Sequence, residues 1–261
     1  MRVFAALAIA AALAAFPRAQ GGSAWLSTNE AGLFHDKKAE DLFTSARIAI
    51  SGGPGGIARL QGLRLKGHSK IASGSEVFEG VVEIRVQLPD RYLRIDTGAF
   101  GRRLTGYSGT VPLALIENAD GKTVAEPRDA EAVTAARFEL ARLMLAAATW
   151  TSHEVQVKFY TRDAPVDMPG PADALGVDAV GTNDSGFAAR VVMDPKSRMP
   201  ARVVYRSGDG IRTMSIAERR SSGGYTLPSR IVTTVGDRLI DDLTFDTIAV
   251  NPRFDKADFA K

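Results

Sequence analysis

The sequence predicts an α+β fold, a single domain with one antiparallel sheet of about ten strands and two substantial helices. Three observations lead there. Residues 82–88 alternate strictly, with Val82, Ile84, Val86 and Leu88 on one parity and Glu83, Arg85 and Gln87 on the other. Successive strand residues point to opposite faces, so this strand has one oily face and one wet face. The same alternation returns through most of the chain without a hydrophobic gap, as in a sheet with one solvated side. Two segments, 36–50 and 129–150, replace it with helical spacing.

The N-terminus comes first. Met1-Arg2 precedes an unbroken apolar run from Val3 to Phe16, then Pro17 and small residues from Ala19 to Ala24. This is the layout of a secretory signal peptide over residues 1–24, with a cut after Ala19 or after Ala24. The run falls short of the roughly 20 apolar residues of a membrane-spanning helix. The remainder, 25–261, reads as one domain. There is no cysteine, so an exported chain relies on its core rather than on disulfides, and acylation at an N-terminal Cys is excluded. The expected location is the bacterial periplasm, as a monomer without a lipid anchor. With 33 basic and 30 acidic residues and no basic block longer than a pair, no nucleic-acid partner is expected.

Asp36 caps a helix whose apolar face is Ala39, Leu42, Phe43, Ala46 and Ile50. Ser51-Gly52-Gly53-Pro54-Gly55-Gly56 ends it. Phosphate loops follow a strand and open a helix, and this glycine cluster does the reverse, so it reads as a helix stop. Strands follow at 60–68, at 77–88 and at 92–96, the last two separated by Pro89-Asp90. Weaker strand character runs over 103–117, up to the turn Asn118-Ala119-Asp120-Gly121. The helix 129–150 starts with Asp129 and Glu131 and is apolar over much of its circumference, which predicts that it is largely buried. Beyond it lie strands near 154–159, 176–181, 187–193, 201–206, 211–219, 225–235 and 238–250, with a proline-rich loop at 164–174.

No catalytic kit emerges. His35, His68 and His153 lack metal-ligand spacing, and Gly106-Tyr107-Ser108-Gly109 lacks the spacing of a nucleophile elbow. No cofactor and no metal are expected. Asp241 shares the parity of Leu239, Leu243 and Phe245, and a bulge is expected to turn it back to solvent. The remaining feature is one apolar set formed by Leu63, Leu65, Val82, Ile84, Val86, Leu88, Leu93, Ile95, Val155, Val157, Phe159, Val191, Met193, Val203 and Tyr205. A twisted sheet of this size curls, leaving either a self-filled core or a cavity, and the pattern alone leaves both open. A cavity that takes up an acyl chain gains about 0.8 kcal/mol per buried methylene.

Further motifs carry a family likeness: a helix after the leader, the strand turn Leu88-Pro89-Asp90-Arg91-Tyr92-Leu93-Arg94, a helix interrupting the sheet and the turn Asp194-Pro195-Lys196-Ser197-Arg198-Met199-Pro200. Tyr225-Thr226-Leu227-Pro228-Ser229-Arg230-Ile231 and a closing Val250-Asn251-Pro252-Arg253-Phe254-Asp255 with Phe259 complete it. With these the chain, over residues 36–259, resembles the periplasmic lipoprotein-carrier superfamily of LolA, LolB and related outer-membrane lipoprotein-sorting proteins. The resemblance implies a half-barrel sheet with helices covering its concave face, and a non-enzymatic carrier for a lipid or an acylated lipoprotein. The residues expected to line the ligand site and its lid are Leu63, Leu65, Ile84, Val86, Leu88, Leu140, Met144, Val155 and Val157. Two other readings stand beside it: an envelope sensor that binds membrane-protein partners, and a hydrolase built from dispersed residues such as His153 and Asp241.

Overall fold

The computed structural model describes residues 32–149, 155–170, 172–182 and 185–260. Residues 1–24, where a leader is expected, His153, and Asn183 and Asp184 lie outside them.

Helix α1 (Lys37–Ser51) begins where the sequence places its cap, with Asp36 Oδ1 accepting from the Ala39 amide at 2.9 Å, and ends on Gly52 at φ 67. The Asp36 carboxylate also accepts from the Thr161 amide at 2.9 Å and hydroxyl at 2.7 Å, so it ties the helix start to the end of a distant strand. Burial opposes that charge, but the Thr161 and Ala39 donors prevail and hold the carboxyl below its ordinary range. Helix α2 (Ala130–Ala146) is capped by Asp129, which accepts from the Ala132 amide at 2.9 Å. At its other end Arg219 donates to the Ala146 carbonyl at 3.3 Å, a cation where the helix dipole favours one, and burial lowers that guanidinium to about 10.

Among the described residues, fourteen strands form one antiparallel sheet. They are β1 (Gly62–Ser73), β2 (Glu76–Gln87), β3 (Arg91–Gly98), β4 (Gly101–Ser108), β5 (Val111–Pro112), β6 (Leu115–Glu117), β7 (Thr123–Ala125) and β8 (Val157–Tyr160). β9 (Gly176–Gly181), β10 (Ala188–Met193), β11 (Pro200–Ser207), β12 (Gly210–Ser222), β13 (Tyr225–Val235) and β14 (Arg238–Val250) complete it. The order is β7-β6-β4-β3-β2-β1-β14-β13-β12-β11-β10-β9-β8, with β5 paired to β4. The count exceeds the expected figure of about ten, and the eleven segments read in the sequence, because 103–117 is not one strand. The turn after Ser108 and the short β5 divide it into three pieces, and β7 folds back beyond the Asn118–Gly121 turn.

Helix α1 packs on β8, β9 and β13, and α2 packs on β3, β4 and β5 at one side and β10 and β11 at the other. Their buried residues, among them Phe43, Ile50, Leu140 and Met144, join the inward parity of the strands in one hydrophobic cluster. A second, smaller cluster lies apart from it, formed by Leu93, Leu104, Leu113, Leu115 and Phe259, with Ile95 and Phe254 packed against it. This corrects the single apolar set, which had placed Leu93 and Ile95 with Leu63 and Ile84. The hairpin register is the cause: Val86 faces Tyr92, Ile84 faces Arg94 and Val82 faces Asp96. Directly opposed residues share a face, so the even positions of β3 point inward and Leu93 and Ile95 point outward. The C-terminal segment covers that outer patch. Asn251 accepts from the Gln61 amide at 2.7 Å, Arg64 lies 4.8 Å over the Phe254 ring, and Arg64 also pairs with Asp258.

Among the described residues, no helix is long and apolar enough to cross a membrane.

Candidate functional site

The inward parity of β3 carries the chemistry. Tyr92, Arg94 and Asp96 open onto a cavity of about 390 Å³ between α2 and the sheet. Its apolar part comes from Ile71 of β1, Ile84 of β2, Met214 of β12, Ile231 of β13, Ile240 and Leu243 of β14, and Leu143 of α2. Arg103 and Thr105 of β4, Tyr205 of β11, Arg212 of β12 and Asp241 of β14 add polar groups. From α2 come Ala135, Glu139, Arg142 and Leu143, at the spacing that places side chains on one helix stripe. The volume falls within the range of small-molecule sites, about 300–1,000 Å³.

Arg94 anchors one end. Its guanidinium pairs with Asp96 at 2.7 Å, Glu139 at 3.0 Å and Asp241 at 3.5 Å, linking β3, α2 and β14. Burial opposes its charge, and the three carboxylates more than offset that, so its pKa stands well above the ordinary arginine value. Burial, followed by the nearby Glu139 charge, pushes the Tyr92 phenol well above its usual value.

Asp241 therefore does not turn to solvent. A bulge is present, but it falls on Ile240, since Thr233 pairs with Asp241 and Thr234 with Leu239. The extra residue lets two consecutive side chains, Ile240 and Asp241, both line the cavity.

A second group on the cavity wall is cationic and aromatic. The Arg142 guanidinium lies 4.0 Å from the centroid of the Tyr205 ring, and the rings of Phe138 and Phe187 lie at 5.7 and 5.9 Å. Tyr205 and Arg212 are opposed across β11 and β12 and share a face. Arg212 is held from the outside by Asp209, at 3.0 and 3.1 Å. Burial lowers the Arg142 pKa and raises that of the Tyr205 phenol.

All nine residues expected at a ligand site and its lid come together around one core. Leu63, Leu65, Ile84, Val86, Leu140, Met144, Val155 and Val157 are buried in the main cluster, and Leu88 packs against it partly exposed. Of the nine, Ile84 lines the cavity. Apart from Asp241 and Tyr205, the polar residues of the cavity went unread in the sequence. Glu139 and Arg142, three apart in the largely apolar second half of the helix, were the available signal, as were Arg94 and Asp96 on one parity of a short strand. Among the described residues, no group of three His, Asp or Glu is placed to hold a metal ion.

No family model matches the chain, and no curated protein matches it. Solved structures do. A putative outer membrane lipoprotein-sorting protein domain from Vibrio parahaemolyticus is similar at 11% identity and a TM-score of 0.48, over 85% of this chain and 97% of that one. A LolA superfamily protein from Nitrosomonas europaea is similar at 10% identity and a TM-score of 0.47, over 85% and 97%. A DUF1329 family protein from Desulfovibrio piger ATCC 29098 is similar at 6% identity and a TM-score of 0.50, over 86% of this chain and 98% of that one. At such identity the likeness is one of fold: this chain is similar in fold to the DUF1329 family protein.

Proposed function

We propose that this chain is a periplasmic carrier that binds a hydrophobic or amphiphilic molecule, a lipid or the acyl chain of a lipoprotein, reversibly and without covalent chemistry. The observation that carries the reading is the cavity of about 390 Å³ between α2 and the sheet, with its apolar wall of Ile71, Ile84, Met214, Ile231 and Leu243. In this reading the sheet is a half-barrel, the helices occupy its concave side, and α2 is the lid. Leu140 and Met144 of the lid, with Leu63, Leu65, Val86, Leu88, Val155 and Val157 beneath, become ligand contacts as the lid moves to admit a longer chain. Residues 1–24 serve as the export signal, consistent with the apolar run Val3–Phe16.

Ala135 offers a clean test because it lines the cavity yet is exposed on α2. A tryptophan there fills the opening without disturbing the core, and surface substitutions shift stability by about 0.5 kcal/mol or less. The neutral probe N-phenylnaphthylamine is expected to bind the native chain at about micromolar Kd, and A135W to weaken it at least about tenfold with little change in Tm. Absence of binding to the native chain, or equal binding by A135W, rules the reading out.

A further inference from the structure

Resting on that reading, we propose that the cavity selects amphiphiles with an anionic head, a carboxylate or phosphate ester, held between Arg142 and Arg212 against Tyr205 while the alkyl tail lies along Ile231 and Leu243.

Arg94 and Arg142, both on the cavity wall, differ in how their charges are met. Arg94 is saturated by three carboxylates. Arg142 makes no ion pair within 4.0 Å among the described residues, and its buried Nε has no hydrogen-bond acceptor there. A guanidinium stacked on a phenol ring keeps its edge nitrogens free for a planar, bidentate anion. Arg212 also lines the cavity and opposes the Arg142 charge while Glu139 favours it, so an anion there lies between two guanidinium groups. Tyr205, within hydrogen-bond reach of Arg212, adds a hydroxyl donor at the same place. Asp96, Glu139 and Asp241 are ion-paired to Arg94, though the Glu139 charge also reaches Arg142 and that of Asp241 reaches Tyr205, so the pair Arg142 and Arg212 is what is left to a head group. The apolar residues of the same wall are where a tail extends from that head.

The test compares laurate, dodecyl phosphate, dodecanol, dodecyltrimethylammonium and inorganic phosphate by titration calorimetry on the full chain. Laurate and dodecyl phosphate are expected to bind about 10- to 100-fold more tightly than dodecanol, the range of a charge-assisted contact. The R142M variant is expected to bring both down to the dodecanol level, and R212Q to do so in part. Inorganic phosphate alone is expected to bind far more weakly than dodecyl phosphate, and comparable binding would mean a free-anion site and overturn the amphiphile assignment. Equal affinity for laurate and dodecanol, or preference for the ammonium, overturns the proposal while leaving the carrier reading intact. Failure of every alkyl probe removes the carrier reading and this proposal with it. The native chain alone decides head-group preference, so the result does not depend on either variant folding.

Discussion

Replacement of Arg94 by methionine is expected to remove about 3–5 kcal/mol of stability, the cost of breaking a buried ionic cluster from one side. The side chains of Asp96, Glu139 and Asp241 are 4%, 28% and 18% exposed, so water replaces little of what the guanidinium supplies. Without Arg94 the three carboxylates are left beside one another with no cation between them. Urea unfolding measures this. A loss below about 1 kcal/mol at pH 7 would mean that the carboxylates are solvated like surface groups. The double variant R94M/D241N is expected to recover part of the loss, because it removes one of the stranded charges.

Phe159→Ala is expected to cost a similar amount, about 3–5 kcal/mol, through a different mechanism. Phe159 is fully buried on β8, with its ring 4.5 Å from that of Phe43 on α1 and 5.4 Å from that of Phe34. Its backbone also pairs with the segment before α1, its amide donating to the Leu33 carbonyl and its carbonyl accepting from the His35 amide, both at 2.7 Å. Truncation thus empties the junction of a strand, a helix and the segment that covers the sheet edge. Denaturant titration should show a lowered midpoint with an unchanged slope. A loss under about 2 kcal/mol would indicate that Phe34 and Phe43 collapse into the space.

The helices and most strands were legible because their signals are local. Asp36 and Gly52 bracket α1, Asp129 opens α2, and turn residues separate β9 through β14. Helix α2 stops at Ala146, short of the expected Trp150, with Ala148 already at positive φ. The face of β3 was not legible. Its side chains follow from how many residues the Leu88-Pro89-Asp90 loop consumes, and a one-residue difference exchanges Leu93 for Arg94. The Arg94 cluster was hidden for a related reason: Glu139 is 45 residues from Arg94 and Asp241 is 147, so only the register of several strands brings them together. Alternation reports that a strand has two faces, while loop lengths and bulges, such as the one at Ile240, decide which face is inside.

The strand order also has a kinetic consequence. β1–β7 and β8–β14 are two meanders, and within the sheet they join at the β1–β14 seam. Gln61 and Asn251, 190 residues apart, meet at its end. Closing so long a loop is entropically slow, which makes this seam the late step of folding. A chain ending before Arg238 is expected to leave both meanders open to limited proteolysis, whereas a protease-resistant β1–β7 fragment would show that the first meander stands alone. Until its last strand exists, this protein has no finished sheet to protect it.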